Sequence, residues 1–513
     1  MSNQDRLSPS EREFFSVASR AVFSNPFGEE RADLDRQMGG GVGGESRREA
    51  AERGISRVIE RVRELEARGR ADLRHYAGET ADAMRNVFLF EVYYRFGDEF
   101  TGLIRAQLKA GHVPVAAPFG REAVAVLVQR GFPEDFALRC FAIMYQMWRA
   151  FHFIQQQLVG ISPSMRRLRF DLWNNVFTQN LEWYGLFVWE RMEEYSTLLL
   201  GETGTGKGTA AAAIGQCGFI PFDAKRRRFE ESFTRNFTAI NLSQFPESLI
   251  ESELFGHRKG SFTGAIEHHD GIFSRCNPHG SIFLDEIGDL SIPVQTKLLE
   301  VLQDRTFCQV GSHEKLRFRG RVIAATNKPL DEMRRDGQFR QDLYYRLCSN
   351  TITLPSLRQR FGENAREFDL MLAHAVTRMT GKERPAVVEA IREVLRRDVG
   401  DGYTWPGNVR ELEQAVRSVL LIGAYKGETA CGPAQTSSSL LSRIESGELS
   451  LEELASEYCA LLYERYGSYE EVGRRARLDW RTVKKYVGGK RATEPNEPVR
   501  RAADLVRKAL FRG

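Results

Sequence analysis

Eight consecutive residues, GETGTGKG from Gly201 to Gly208, follow directly on the apolar run STLLL (Ser196–Leu200). Glycines at that density let a backbone curl until its N–H groups face one point, and the lysine adds a cation; together they make a phosphate cradle. Lys207 is placed to reach β- and γ-phosphate oxygens. The AAAAIG run beyond it opens a helix whose N-terminal dipole favours the same anion. Candidate nucleotide contacts are Gly201, Glu202, Thr203, Gly204, Thr205, Gly206, Lys207, Gly208 and Thr209. One feature departs from the general motif: the residue after the lysine, commonly a Ser or Thr for magnesium, is Gly208, with Thr209 one place late.

A second stretch supplies the other half of a hydrolytic site. SIFLDE (Ser281–Glu286) is an apolar strand ending in two adjacent carboxylates. Asp285 suits the magnesium shell, acting through water, and Glu286 can polarise an attacking water, a division of labour that phosphoryl transfer to water requires. The bland alternative is a buried strand with solvated acids at its tip, a weak one once a phosphate loop precedes it. RVIAATN ends in Thr326 and Asn327, polar groups able to feel a γ-phosphate, and FTAIN ends in Asn241. These tips need strands laid side by side. From about residue 157 to 430, apolar strands alternate with amphipathic helices, the α/β pattern of a parallel sheet. Four polar strand tips in this order describe an ATPase sheet of the AAA+ kind, with ATP and Mg2+ as its cofactors.

Around that centre the chain of 513 residues is long enough for about three domains. Its 42% hydrophobic and 28% charged residues are an ordinary globular composition. No apolar run approaches the roughly 18–20 residues of a membrane span, and the opening MSNQDRLSPSEREFF lacks the basic-then-apolar order of a signal peptide. Seven dispersed cysteines without a CxxC pair fit reduced thiols, so a cytoplasmic protein is expected. Residues 1–155 read as a mostly helical regulatory region of unknown ligand, with GGGVGGE near position 40 as a flexible break. The aromatic stripe FALRCFAIMYQMWRAFHFIQQQL has helical spacing and reads as core packing. Strands with acidic tips do not occur there, which argues against a phosphoacceptor receiver domain.

The C-terminal end is basic. From Ser468 to Gly513, 13 Lys/Arg stand against 6 Asp/Glu, a surplus of 7. Within residues 448–490, LSLEELASEYCALLYERYG is followed by two short helices, SYEEVGRRA and LDWRTVKKYV, joined by a tight turn around Arg477–Asp479. That is a helix-turn-helix whose second helix carries Trp480, Arg481, Thr482, Lys484 and Lys485. Arg481 and Thr482 are candidates for base contacts, and Lys484 and Lys485 for phosphate contacts. Residues 491–513 form a basic tail with a helical pattern.

One motif remains. RKGSFTGA (Arg258–Ala265) holds Phe262 and Thr263 between Gly260 and Gly264, a tip that does not bury itself easily. With GETGTGKG, ESELFGHRKGSFTGA, GSIFLDEIGDL, VIAATN, GQFRQDLYYRL, LPSLRQR and TWPGNVRELEQAV in this order, residues of about 158–425 resemble the central domain of bacterial sigma-54-dependent transcriptional activators, the enhancer-binding proteins. In that family the residue after the P-loop lysine is commonly not Ser or Thr. The resemblance implies that Asn241 holds Glu286 in a switchable hydrogen bond, and that Arg340 and Arg346 are fingers reaching a neighbouring subunit's ATP. It also implies that Arg410 is a second sensor in a lid spanning about 355–430. Gly260, Ser261, Phe262, Thr263, Gly264 and Ala265 correspond to the loop that contacts sigma-54, with Ser261 where the family has alanine. The C-terminal helices resemble the family's Fis-type DNA-binding domain.

The resulting expectation has several parts. The fold is an AAA+ α/β domain with a helical lid, preceded by helices and followed by a helix-turn-helix. The chain acts as an ATP-hydrolysing oligomeric ring, a hexamer by resemblance, on sigma-54 RNA polymerase and double-stranded upstream DNA. Residues 1–155 are expected to restrain turnover. Two other readings stay open: an AAA+ remodeller of another protein target, and a non-catalytic DNA-binding repressor. The segments 174–195 and 217–236 look longer than the family pattern. The basic run Lys225–Arg228 inside the second is either a solvated loop or a contact to a partner or nucleic acid.

Overall fold

In the computed structural model the described residues are 7–41, 44–427 and 450–488; the basic tail 491–513 lies outside them. The regular elements described in the N-terminal part are helices: α1 (Pro9–Phe23), α2 (Glu29–Gly39), α3 (Arg47–Ala67), α4 (Gly78–Arg95), α5 (Gly97–Ala110), α6 (Phe119–Gln129) and α7 (Glu134–Gln157). Ser8 and Ser46 open α1 and α3 with capping boxes, each paired reciprocally with a glutamate three residues on, Glu11 and Glu49. The aromatic stripe is α7, and it buries Phe141, Tyr145, Arg149 and Phe153 on one face. Helix α8 (Pro163–Phe177) then leads toward the sheet, capped by Ser162.

Among the described residues nine strands follow: β1 (Thr197–Leu200), β2 (Phe222–Asp223), β3 (Arg228–Phe229), β4 (Phe237–Asn241), β5 (Ser281–Asp285), β6 (Thr306–Cys308), β7 (Lys315–Arg317), β8 (Arg321–Thr326) and β9 (Asn350–Thr353). Five make one parallel sheet in the order β4-β5-β8-β1-β9. All six residues of β8 are buried, as a central strand covered on both faces requires. The fold is therefore the parallel α/β sheet the sequence predicts. The β9 edge strand, NTIT, is one the pattern did not single out, because it is short and half polar.

The hydrophobic core runs without a break from the N-terminal helices into this sheet. Phe141, Tyr145 and Phe153 of α7 belong to the same cluster as Ile214, Phe283, Ile323 and Ile352. The segment 217–236 is what joins them. Its β2–β3 hairpin turns at the basic run, where the Asp223 carboxylate accepts from the N–H groups of Lys225 and Arg226. Phe222 and Phe229 behind that turn pack on Phe141 and Tyr145, with ring centroids 4.8 and 4.2 Å apart. Lys225, Arg226 and Arg227 stay exposed, the arrangement of a solvated loop.

The chain divides into two compact units. One runs to Leu370 and includes Gly407–Val409; the other comprises Met371–Pro406 and the residues from Arg410 onward. In the second, Tyr403 and Tyr425 donate their hydroxyls to Glu411, and Trp405 stacks on Tyr425. Its C-terminal part is three helices, Leu451–Tyr466, Tyr469–Ala476 and Trp480–Gly488, around Cys459, Val472, Val483 and Val487. The turn between the last two requires Gly473, since a Cβ there would lie 2.7 Å from the Leu478 carbonyl oxygen. Among the described residues no helix is long and apolar enough to cross a membrane.

Candidate active site

The sheet register brings the sequence-predicted tips together. Leu200, the last residue before the phosphate loop, pairs with Thr326, and Asn241 pairs with Asp285. With β8 lying between β1 and β5, these tips share the C-terminal edge of the sheet, where open α/β folds bind ligands. Gly204 and Gly206 take positive φ (79° and 99°), and Gly206 hands the chain to the helix that starts at Lys207. Lys207 is buried and its Nζ donates to the carbonyls of Gly201 (2.9 Å) and Glu202 (3.3 Å), so the cation is held over the curl of the loop. Gly208 and Thr209 are exposed. A Cβ at Gly208 would meet only the Phe283 ring, at 3.8 Å, so packing leaves room for a side chain there.

Glu286 adopts the left-handed conformation, φ 56° and ψ 50°. A non-glycine residue in that region costs free energy, and such strain concentrates at functional sites. Its N–H donates to Asp285 Oδ1 (3.1 Å), and its carboxylate accepts from the Asn327 N–H (3.4 Å). Asn327 in turn donates its side-chain amide to Thr203 Oγ1 of the phosphate loop at 2.8 Å. Asn241 is close by in register, yet its Oδ1 accepts from the Ser243 N–H (3.0 Å). The link between Asn241 and Glu286 that the resemblance implies is not formed among the described residues; Asn327 takes that place. Thr326 Oγ1 accepts from the Lys328 N–H, which turns the chain away after β8.

Two further residues shape the loop, and motif reading passed over both. Arg358 pairs with the Glu202 carboxylate, and that hydrogen bond holds Glu202 below the usual carboxylate range. Asn408, fully buried with φ 53°, accepts from the Leu357 N–H and donates to the Thr203 carbonyl and the Glu202 carboxylate, at 2.8, 3.0 and 3.1 Å. The Val409 N–H adds a bond to the Gly204 carbonyl. The signal was available in WPGN, because asparagine tolerates the left-handed turn that follows a Pro-Gly pair. Arg410 belongs to the second unit, exposed on the helix Asn408–Ile422.

The two finger candidates differ. Arg340 is engaged within the chain, bidentate on Asp342 (3.0 and 2.6 Å) and on Thr296 Oγ1 (3.2 Å). Arg346 is exposed on the helix Gln341–Leu347 and has no hydrogen-bond or ion-pair partner among the described residues.

The GSFTGA loop is a closed turn. The Gly260 N–H donates to the Ala265 carbonyl and the Ala265 N–H to the Phe262 carbonyl, with Gly260 and Gly264 at φ 80° and 104°. Thr263 is exposed, and Phe262 keeps 37% of its surface free while its ring leans edge-on against His257. The turn between β6 and β7 stands beside it: the Ser261 side chain packs on Gly311 so closely that a Cβ there would fall 2.5 Å away. In the C-terminal helices, Arg481, Lys484 and Lys485 are exposed, Trp480 is 46% exposed and Thr482 half-buried. Asp479 caps that helix by accepting from the Arg481 N–H.

Residues 189–353 match the sigma-54 interaction domain. The chain is 41% identical over 232 residues to the sigma-54-dependent transcriptional regulator SfnR of Pseudomonas fluorescens, covering 45% of this chain and 57% of that one. It is 37% identical over 268 residues to the Nif-specific regulatory protein of Azotobacter vinelandii, covering 52% and 45%. Identity to the DNA-binding transcriptional regulator NtrC of Azospirillum brasilense is 36% over 270 residues, covering 52% and 48%. The chain thus spans about half the length of the curated relatives it matches. A crystal structure of NtrX from Brucella abortus aligns with 72% of this chain and 79% of that one at 21% identity and TM-score 0.39, too loosely to carry an argument. The matched segment contains the phosphate loop, Asp285, Glu286 and the GSFTGA turn, and over these residues the chain matches the sigma-54 interaction domain.

Proposed function

We propose that the chain is an ATP-dependent activator of sigma-54 RNA polymerase, working in the cytoplasm as an oligomeric ring bound to upstream DNA. One observation carries the reading. A hydrolytic strand edge and an exposed, glycine-closed turn with Phe262 and Thr263 at its tip occur on the same sheet domain. Lys207 and the loop amides would bind the phosphates, and Glu286 would hold and polarise the attacking water. The Asp285 carboxylate suits Mg2+ through water, with phosphate oxygens completing the shell. That sharing fits the chemistry of the donors, since the described residues include no group of three His, Cys, Asp or Glu able to hold a metal by themselves. When bound, Mg2+ neutralises developing phosphate charge.

Arg346 has a free guanidinium suited to a neighbouring subunit's γ-phosphate; Arg340 would have to leave Asp342 to do the same. Arg410 serves as the lid sensor in this reading. The exposed Arg481, Lys484 and Lys485 meet DNA, Lys484 and Lys485 at phosphates, with Thr482 and Trp480 beside them. The experiment is open-complex formation at a sigma-54 promoter with ATP or a non-hydrolysable analogue, for the full chain and for Thr263→Ala. Open complexes should need both ATP hydrolysis and Thr263, while the variant keeps its ATP turnover. ATP hydrolysis with no dependence on sigma-54 would favour a remodeller of another target, and DNA binding without hydrolysis a repressor.

A further inference from the structure

A cavity of about 230 Å3 lies among the N-terminal helices, between α4, α7 and the segment Leu181–Leu186. Its walls are mainly apolar, with Leu89 on α4, Ile143 and Met147 on α7, and Leu181 on the inserted segment. Two polar groups on the lining lack partners. The Tyr93 hydroxyl makes no hydrogen bond among the described residues, although the ring is packed against Tyr94 and Trp148. Arg139 is half-buried over the rings of Phe136 and Trp189, and no carboxylate or carbonyl among the described residues accepts from it. The other arginines of the lining are occupied, Arg31 by Asp35 and Tyr94, and Arg85 by Asp82. Of the three lining arginines only Arg139 is left without a carboxylate, and Glu182 is the one acid of the lining. Both residues are only partly buried, so their polar atoms are open to a ligand, and an anion with an apolar body would engage them while covering the apolar walls.

The wall that closes this cavity leads to the phosphate loop. Tyr184, in the inserted segment, is fully buried and donates its hydroxyl to Gln146 Oε1 of α7 at 2.8 Å. The same Gln146 donates to the Cys217 carbonyl (2.8 Å), and Arg149 one turn on donates to the carbonyls of Gln216 (2.7 Å) and Gly218 (2.8 Å). Those carbonyls lie just past the end of the helix Lys207–Gly215. Helix α7 therefore carries a cavity wall on one stretch and grips the phosphate-loop helix with the next.

We propose that this cavity is an effector site for a small, largely apolar organic carboxylate, held by Arg139 and Tyr93, whose occupancy sets the rate of ATP turnover through α7. The regulated activity rests on the function proposed above; the binding site does not. A ligand that fits one setting of α7 better than another shifts the balance between them by its differential affinity.

The test uses the full chain and three probes of graded size: benzoate, octanoate and 2-naphthoate. Calorimetry should find saturable one-to-one binding of at least one probe. That binding should weaken about tenfold or more in Arg139→Gln, which removes a charge-assisted bond, and in Ile143→Trp, which fills the space. The corresponding alcohol of the same probe should bind correspondingly weakly to the unaltered chain. Thermal unfolding and ATP turnover without ligand check that both variants fold. Saturating probe should change ATP turnover about threefold or more in the unaltered chain and not in the variants. No binding by any probe, or binding indifferent to both substitutions, overturns the site. Binding that leaves an active ATPase unchanged overturns the regulation. Binding as expected in a chain that hydrolyses no ATP supports the site and counts instead against the ATPase.

Discussion

At the scale of single residues, the informative positions are those held against their ordinary preferences. Glu286 is the clearest, a carboxylate in the left-handed region just beyond a buried strand. The strain is kept because Asp285 receives its N–H while the Asn327 N–H fixes its carboxylate. Glu286→Ala should keep nucleotide affinity through Lys207 and the loop amides while losing more than about 90% of turnover, a barrier change above roughly 1.4 kcal/mol. Nucleotide binding and hydrolysis measured on the same preparation decide it; a variant that keeps a tenth or more of the activity removes Glu286 from the chemistry. Ser261 makes the opposite case. Its hydroxyl is buried against Gly311 with no hydrogen-bond partner. Ser261→Ala should therefore be neutral or stabilising, by about 1 kcal/mol, and should leave the turn's function intact. A fall in thermal stability would mean that the hydroxyl has a partner after all.

At the scale of elements, strands and loops were legible to different degrees. The parallel sheet could be read because β5 and β8 are short apolar runs that end in polar residues, a pattern with few other interpretations. The phosphate loop could be read because its glycines and lysine are contiguous. What brings Asn408 to that loop could not be, because Thr203 and Asn408 are 205 residues apart and nothing in either stretch encodes the meeting. The same holds for Asn327, which takes the place at Glu286 that the resemblance gave to Asn241: the choice depends on which strand tip reaches across, and local sequence is silent on that. The hairpin β2–β3 looked like a basic loop because Lys225–Arg228 dominates its composition, while the two phenylalanines that anchor it flank the run. Asn408→Ala tests the stitch directly. It removes bonds to Leu357, Thr203 and Glu202 and puts alanine in a left-handed turn, at a combined cost of about 2–4 kcal/mol. The expected outcome is a less stable protein whose nucleotide affinity falls more than that of Arg358→Ala, a change confined to an exposed ion pair. Equal affinities for the two variants would show that Asn408 does not shape the loop.

At the scale of the whole chain, the helical region is joined to the parallel sheet through its core and not through a tether. Phe141, Tyr145 and Phe153 of α7 share one cluster with Phe222, Phe229, Phe233 and Ile214, and burying each such side chain is worth about 1.5–3 kcal/mol. A chain beginning at Gln155 would expose that set as a contiguous apolar patch, which favours association over a free, active monomer. Deleting residues 1–154 should thus give a protein that aggregates, and its lack of activity would say nothing about whether the helices restrain turnover. A point change isolates the question. Arg149 is fully buried, lies over Tyr145 and Phe233, and bonds the carbonyls of Gln216 and Gly218 at the end of the phosphate-loop helix. Arg149→Met keeps most of the volume and removes that grip together with the cation over the two rings, leaving two part-buried carbonyls without their donors at a cost of about 1–3 kcal/mol. The variant should melt earlier yet still fold, since the aromatic cluster is untouched. If α7 restrains the loop through this grip, ATP turnover should rise about fivefold or more, a coupling within the usual 1–3 kcal/mol. Turnover plotted against protein concentration separates this from a change in assembly. A folded Arg149→Met with the parent's turnover at every concentration would show that control by the helical region, if exerted at all, does not pass along α7.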